Sequence, residues 1–238
     1  MQEVSALYTQ IMEGGGWHEV KLSVNGVDYA MDKIISMSTS HALFDRAVSV
    51  GNTIVGTIDV QLIAASKDIP TMAELRPYVR AVNDTQQSEW LPYGVYYIDT
   101  REYDKETGIL TLAGMDAMLK GEQDYMQRGD QGYWPKSDIA CVEEISERLG
   151  LGTYGIDPRT RAIITQRYSI GYPGIGEGAY TVREVLGYIG AMYAGNWIIT
   201  EKGELRLIVL GDIPEETNYF IDESGNIITL GGDRLVFV

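Results

Sequence analysis

The sequence is short of most of the residues that carry chemistry. It has one cysteine, Cys141, two histidines, His18 and His41, and only three phenylalanines in 238 residues. A lone cysteine excludes an internal disulfide and fits folding in a reducing compartment. Cys141 falls inside a helical pattern beside its apolar stripe, the setting of a buried structural thiol rather than a nucleophile. The histidines stand in or beside strand patterns, with no HExxH or CxxC partner to make a metal set. No apolar run approaches the roughly 18 residues that membrane insertion needs. The first residues lack the basic-then-apolar order of a signal peptide. Positive charge is also scarce: 19 Lys and Arg face 34 Asp and Glu, giving −15 per chain. That surface repels phosphate backbones, and there is no Lys/Arg-rich block, so stable nucleic-acid binding is not expected.

Catalytic groupings are missing as well. Gly171-Tyr172-Pro173-Gly174-Ile175-Gly176-Glu177-Gly178 is the one glycine-rich loop. It has no following Lys-Ser/Thr, and Ala179 stands where the last glycine of G-x-G-x-x-G belongs, so it reads as a connector. Asp99, Glu102, Asp104 and Glu106 lie too close together, mostly in a turn, to form a glycosidase pair. Asp222-Glu223-Ser224-Gly225-Asn226 lacks the ligand alternation of a calcium loop and reads as a hairpin turn. The expectation is a chain with no catalytic residues, no bound metal and no cofactor.

What is abundant is β-type patterning and tyrosine. The chain is 45% apolar and 22% charged, as globular domains are, with 16 Tyr and 4 Trp. Tyr suits strands, and it suits interfaces where one face is buried and the hydroxyl stays wet. Val4, Leu7, Tyr8, Ile11 and Met12 predict an amphipathic helix ending at Gly14-Gly15-Gly16. Apolar residues alternate on both sides of Asn25-Gly26, which predicts a tight hairpin because both turn positions need positive φ. Residues 34–37 and 41–44 read as short extended pieces. Residues 53–63 read as one long half-buried strand, and 75–82 as another with Arg76 and Arg80 opposite Leu75 and Val79. Strands follow at 94–100 and 109–113, with Tyr96 and Ile98 on one face and Val95 and Tyr97 on the other. Seven or eight strands in 115 residues predict an antiparallel barrel or closed sandwich, which shortens exposed edges.

The texture changes after Met115. Residues 116–126 predict a helix, and Arg128 to Gly132 a loop. Ser137 caps a predicted helix over 138–149, followed by Gly150. Thr181-Val182-Arg183-Glu184 is a capping-box pattern opening a helix that stops near Gly195. Residues 196–200 and 204–210 predict a hairpin. Further strands are expected at 218–221, 226–230 and 234–238. The predicted fold class is α+β, mainly β: a β-barrel-like unit over 1–115, a small α+β unit over 116–210, and a segment over 211–238. That last segment either returns to the first sheet or starts a further β unit.

The order of several short stretches resembles the tail hub (baseplate hub) proteins of long-tailed bacteriophages and prophages. The resemblance is carried by Asn25-Gly26-Val27-Asp28-Tyr29, Leu43-Phe44 with Val50-Gly51-Asn52, and Ile69-Pro70 with 73–80. It continues in Ser88-Glu89-Trp90-Leu91-Pro92, residues 94–99, Asp116-Ala117-Met118-Leu119-Lys120, residues 181–207 and residues 227–236. None of these is a chemical signature; their order over most of the chain makes the likeness.

The resemblance implies a non-enzymatic part of the virion tail tip, made in the host cytoplasm. Such hubs form a ring of three that closes the tail tube. The implied partners are further copies of the chain, the tube or distal tail ring protein, the tape-measure protein, and distal fibre, spike or lysin parts. An acidic ring would let DNA slide past. Trp90, Tyr93 and Tyr96 are the expected protein-interface residues. Two other readings stand beside this one: the anchoring part of a tail-associated cell-wall hydrolase, and a carbohydrate- or receptor-binding module.

Overall fold

The computed structural model describes residues 4–44, 48–64, 69–126, 133–151, 155–174 and 179–210, and the backbone of 229–230 and 233–234. The sequence readings at 128–132, 175–178 and 218–228, and those at 235–238, lie outside the described residues.

Helix α1 (Ala6–Glu13) starts at Ser5, whose hydroxyl accepts from the Tyr8 N–H, and ends at Gly14 as expected. Eight strands follow: β1 (Trp17–Val24), β2 (Val27–Ala30), β3 (Ile34–Ser40), β4 (Thr57–Ile63), β5 (Glu74–Val82), β6 (Leu91–Pro92), β7 (Tyr96–Asp104) and β8 (Ile109–Asp116). They form one antiparallel sheet in the order β2-β1-β5-β7-β8-β4-β3, with β6 beside β5. Asn25 and Gly26 make the β1–β2 turn at φ 48° and 83°.

This sheet has to curl. Six strand spacings of about 4.8 Å would put β2 and β3 about 29 Å apart in a flat sheet. Only the single 3-10 turn at Met31–Lys33 joins them, and the four Cα steps from Ala30 to Ile34 span about 15 Å at most. Six antiparallel steps also return the strand direction to its start. β2 and β3 therefore run the same way, as two halves of one bent strand that closes the barrel. Leu22, Val24, Ile58, Val60, Leu62, Leu75, Tyr96, Ile98, Leu110 and Leu112 fill it, all buried.

The closure leaves a seam. β2 covers β1 only from Lys21 to Val24. Residues Trp17–Val20 pair with β5 alone, and β3 pairs with β4 alone among the described residues.

Three expectations need correction here. Residues 53–56 do not extend β4. Thr53 bridges Trp197 in parallel, and the Trp197 N–H donates to Asn52 O, so this stretch belongs beside a strand of the second unit. The helix expected over 116–126 is a 3-10 turn at Ala117–Glu122. It stops because 123–125 is extended and spends its backbone on 180–182: the Val182 N–H donates to Gln123 O, and the Tyr125 N–H to Tyr180 O. Gly121 also lies so close to Arg183 that a Cβ would fall 2.4 Å from the Arg183 Cγ. Residues 41–44 are likewise not a strand.

The remaining elements build a second core. They are β9 (Lys136–Ser137), α2 (Asp138–Arg148), α3 (Pro158–Ile163), β10 (Ser169–Ile170), α4 (Val182–Met192), β11 (Gly195–Ile199) and β12 (Leu205–Val209). Ser137 caps α2, and the Thr181/Glu184 capping box opens α4 with both of its hydrogen bonds present. α3 was not anticipated, although Asp157-Pro158 is an N-cap followed by proline at the first helical position. Val142, Ile145, Leu149, Leu186, Ile189, Trp197 and Leu205 are fully buried between helices and hairpin. β13 (Thr229–Leu230) and β14 (Asp233–Arg234) pair with each other. The architecture is α+β, mainly β.

Candidate interaction site

Trp90 lies over the outer face of β1 and β5. That face is a ladder of paired charges: Glu19 opposes Arg80, and Lys21 opposes Tyr78. Arg80 donates to Glu19 from Nε at 2.8 Å, and Lys21 pairs with Asp28 at 2.8 Å. The Arg80 guanidinium sits 4.3 Å from the Trp90 ring centre and the Lys21 ammonium 5.2 Å. Contacts of this kind are worth about 0.5–1 kcal/mol each at partly exposed sites. They hold the indole flat while part of it stays accessible.

Tyr93 is 49% exposed. It lines a groove of about 360 Å³ with Tyr8, His18, Val20, Met37 and Thr39. The Tyr8 hydroxyl and His18 Nε2 are 2.8 Å apart in its wall, with the two rings stacked.

Tyr96 does not belong with these two. It is wholly buried in the barrel core, so it has no surface to offer a partner. Its position on strand β7 sends its side chain inward with Ile98. The backbone just before it is built around the ring: Gly94 has φ 132°, and a Cβ there would lie 2.3 Å from a Tyr96 ring carbon.

A polar joint connects the barrel to the second unit, and it was not read from the sequence. Asp116 ends β8 and caps the 3-10 turn, 2% exposed. Its Oδ2 accepts from the Gly56 N–H at 2.7 Å and its Oδ1 from the Met118 N–H at 2.9 Å. Burial pushes its pKa up to about 7, against the pull of the two amides and of Arg183. The His41 ring packs against Gly56 too: a Cβ there would lie 2.7 Å from the ring and 2.8 Å from Asp116 Oδ2. Desolvation holds its pKa below the usual histidine value, with Glu201 opposing. Arg183 donates from Nη2 to Thr53 O at 2.8 Å and pairs with Glu122. Asn196, fully buried, donates to the carbonyls of Leu43 and Ser49 and accepts from the Asn52 N–H. Only Asp116, as a cap before a helix start, left a signal in the sequence. Thr53 and Arg183 are 130 residues apart.

Among the described residues, the groups that most often carry chemistry are engaged elsewhere. His18 and His41 are bonded to tyrosines. Cys141 is buried, and burial raises its pKa, so its thiolate is disfavoured. Asp104 caps its own turn, accepting from the Glu106 N–H and the Thr107 hydroxyl. Among the described residues no group of three His, Cys, Asp or Glu is placed to hold a metal ion, and no helix is long and apolar enough to cross a membrane.

No protein-family model matches the chain, and no curated protein matches it. Solved structures do. The chain is similar to the 43 kDa tail protein of prophage MuSo2 from Shewanella oneidensis, with TM-score 0.50 and 13% identity, over 87% of this chain and 62% of that one. It is equally similar to the tail protein from Neisseria meningitidis MC58, with TM-score 0.50 and 14% identity, over 88% of this chain and 58% of that one. The chain thus spans about three fifths of the length of these two structures. At such identities the likeness is one of fold.

Proposed function

We propose that this chain is a structural, non-enzymatic component of a phage or prophage tail, acting as a hub at the tail tip. One observation carries the reading: its fold follows two prophage or bacterial tail proteins over nearly nine tenths of its length. The order of sequence stretches that resembles tail hubs points the same way independently. The described residues also suit assembly. The free edge of β3, Ile-Ile-Ser-Met-Ser-Thr-Ser, has neither the charges nor the proline that normally blunt an exposed strand.

In this reading three copies ring the tail axis and close the tube. Trp90 and Tyr93 face a neighbouring subunit or the tube ring, and distal parts attach below. The units 1–115 and 116–210 act as separate modules joined at Asp116. Carboxylates gather on the axis-facing side, where they keep DNA from sticking.

The test is localisation. Gold-labelled antibody against the chain, applied to particles of the phage or induced prophage that encodes it, should mark the distal end of the tail. Label on heads or along tails, or none on intact particles, would overturn the reading.

A further inference from the structure

Beside β1 the barrel interior opens into the groove of about 360 Å³, which is lined by rings, hydroxyls and apolar groups. Val20 and its cross-strand partner Val79 continue the buried rows of Leu22 and Leu75, and with Met37 they make an apolar floor. Tyr8, His18 and Tyr93 stand around that floor, and Thr39 adds a hydroxyl. His18 is the one basic side chain among the lining residues, and none of them is acidic. In a chain with 34 Asp and Glu, that lack sets the place apart. The rings are held in position by the fold itself. Tyr8 sits on α1, whose cap Ser5 gives its N–H and its hydroxyl to Glu89 at 2.8 and 2.6 Å. The Tyr8 ring stacks on His18 with centres 5.9 Å apart, and the 2.8 Å contact between hydroxyl and Nε2 ties them together. The Tyr93 N–H donates to Pro77 O at 2.9 Å. Groups fixed in this way cost little further ordering when a ligand binds.

This lining selects its ligand. A charged group would meet no counter-charge beyond His18. A purely apolar one would strip water from the hydroxyls of Tyr8 and Thr39 and replace nothing. What fits floor and walls together carries hydroxyls and an apolar face in one small body. A neutral sugar ring does so: its axial C–H groups rest on the negative face of an aromatic ring, while its hydroxyls both donate and accept. The Tyr8–His18 contact leaves further capacity on the hydroxyl and leaves Nδ1 for such a partner. Barrel mouths are also among the places where small-molecule sites recur. We propose that this groove binds a neutral saccharide, one sugar ring lying against Tyr93 with its hydroxyls on Tyr8, His18 and Thr39. The site does not depend on the tail reading, since it needs no other protein.

NMR titration of the full chain tests this. The probes are the methyl glycosides of glucose, galactose, mannose, rhamnose and N-acetylglucosamine, each at tens of millimolar. At least one should shift the ring signals of Tyr8, His18 and Tyr93 saturably, with a Kd in the millimolar range. Methyl glucuronide, a charged counterpart, should not. Tyr93→Ala should weaken the binding about tenfold while the chain stays folded by circular dichroism. His18→Phe, which keeps a ring and removes its nitrogens, should weaken it too. Tyr172→Ala, at an exposed tyrosine of the second unit, should leave it unchanged. Ring signals that move with none of the five glycosides would overturn the proposal, as would equal binding of methyl glucuronide or binding that survives both groove variants. So would the same signals moving with protein concentration alone, since a second copy would then fill the groove.

Discussion

Tyr96 Oη and His41 Nε2 stand 2.5 Å apart at the end of the barrel. Burial raises the tyrosine pKa and desolvation lowers that of the histidine. Both shifts keep the pair uncharged: Tyr96 retains its phenol proton and His41 is a neutral ring. Nitrogen-15 NMR should show His41 as a neutral ring at pH 7 with a titration midpoint below 6.5. A midpoint above 6.5 would contradict the packing of His41 against Gly56.

Asp116 should make stability depend on pH in the opposite sense. Its folded pKa, about 7, lies above the ordinary 3.8. The folded state therefore binds the proton more tightly. The resulting stabilisation is complete below pH 3.8 and is lost as pH rises through about 7. At about 1.36 kcal/mol per pKa unit the full span is on the order of 4 kcal/mol. His41, with its pKa lowered, opposes this: its contribution is present above 6.5 and is lost as pH falls. Urea unfolding from pH 4 to 8 should show a flatter profile for Asp116→Asn than for the unaltered chain. Asp116→Asn should also be less stable at pH 4, because an amide can satisfy only one of the Gly56 and Met118 N–H groups. Parallel profiles would show that Asp116 is not the titrating group.

Gly94→Ala should be among the most damaging single changes in the barrel. It puts a side chain at φ 132° and drives its Cβ into the Tyr96 ring. The expected loss is on the order of 3 kcal/mol or more, read from the urea midpoint at constant m-value. A loss under about 1 kcal/mol would mean that Tyr96 is not packed as described.

Arg183→Ala should loosen the joint. It removes the hydrogen bond to Thr53 O and the pair with Glu122, at a cost of about 2 kcal/mol. Arg183→Lys should restore little, because an ammonium cannot reach Thr53 and Glu122 with a planar fork. Exchange of the Ile54 amide, which donates to Trp197 O at 3.4 Å, should speed up in both variants. Unchanged exchange there would show that the contact does not hold the two units together.

Trp90→Ala and Tyr93→Ala should separate stability from assembly. Tyr93 is half exposed, so its truncation should cost no more than about 0.5 kcal/mol. Trp90 loses its two cation contacts and should cost about 1 kcal/mol. If both face partners, both variants should fail to join tail assemblies while remaining folded by circular dichroism. Normal incorporation of both would move the contact surface elsewhere.

The sequence by itself determined the local events. Asn25-Gly26 set a hairpin, because only residues tolerant of positive φ close that turn. Ser137 and the Thr181/Glu184 box set two helix starts, because the orphan N–H groups lie within reach of their side chains. Alternation marked the strands and placed Tyr96 and Ile98 on one shared face. Tertiary structure alone decided the rest. Residues 53–56 alternate like β4, yet pairing with Trp197 takes them out of the barrel. Residues 123–126 have no helix breaker, yet their backbone is committed to 180–182. Tyr96 has the composition of an interface residue, but the curl of the sheet turns its face inward. The Thr53–Arg183 contact joins residues 130 apart. Spacing reads contacts within one turn or one strand, whereas these depend on which elements meet once two cores have packed.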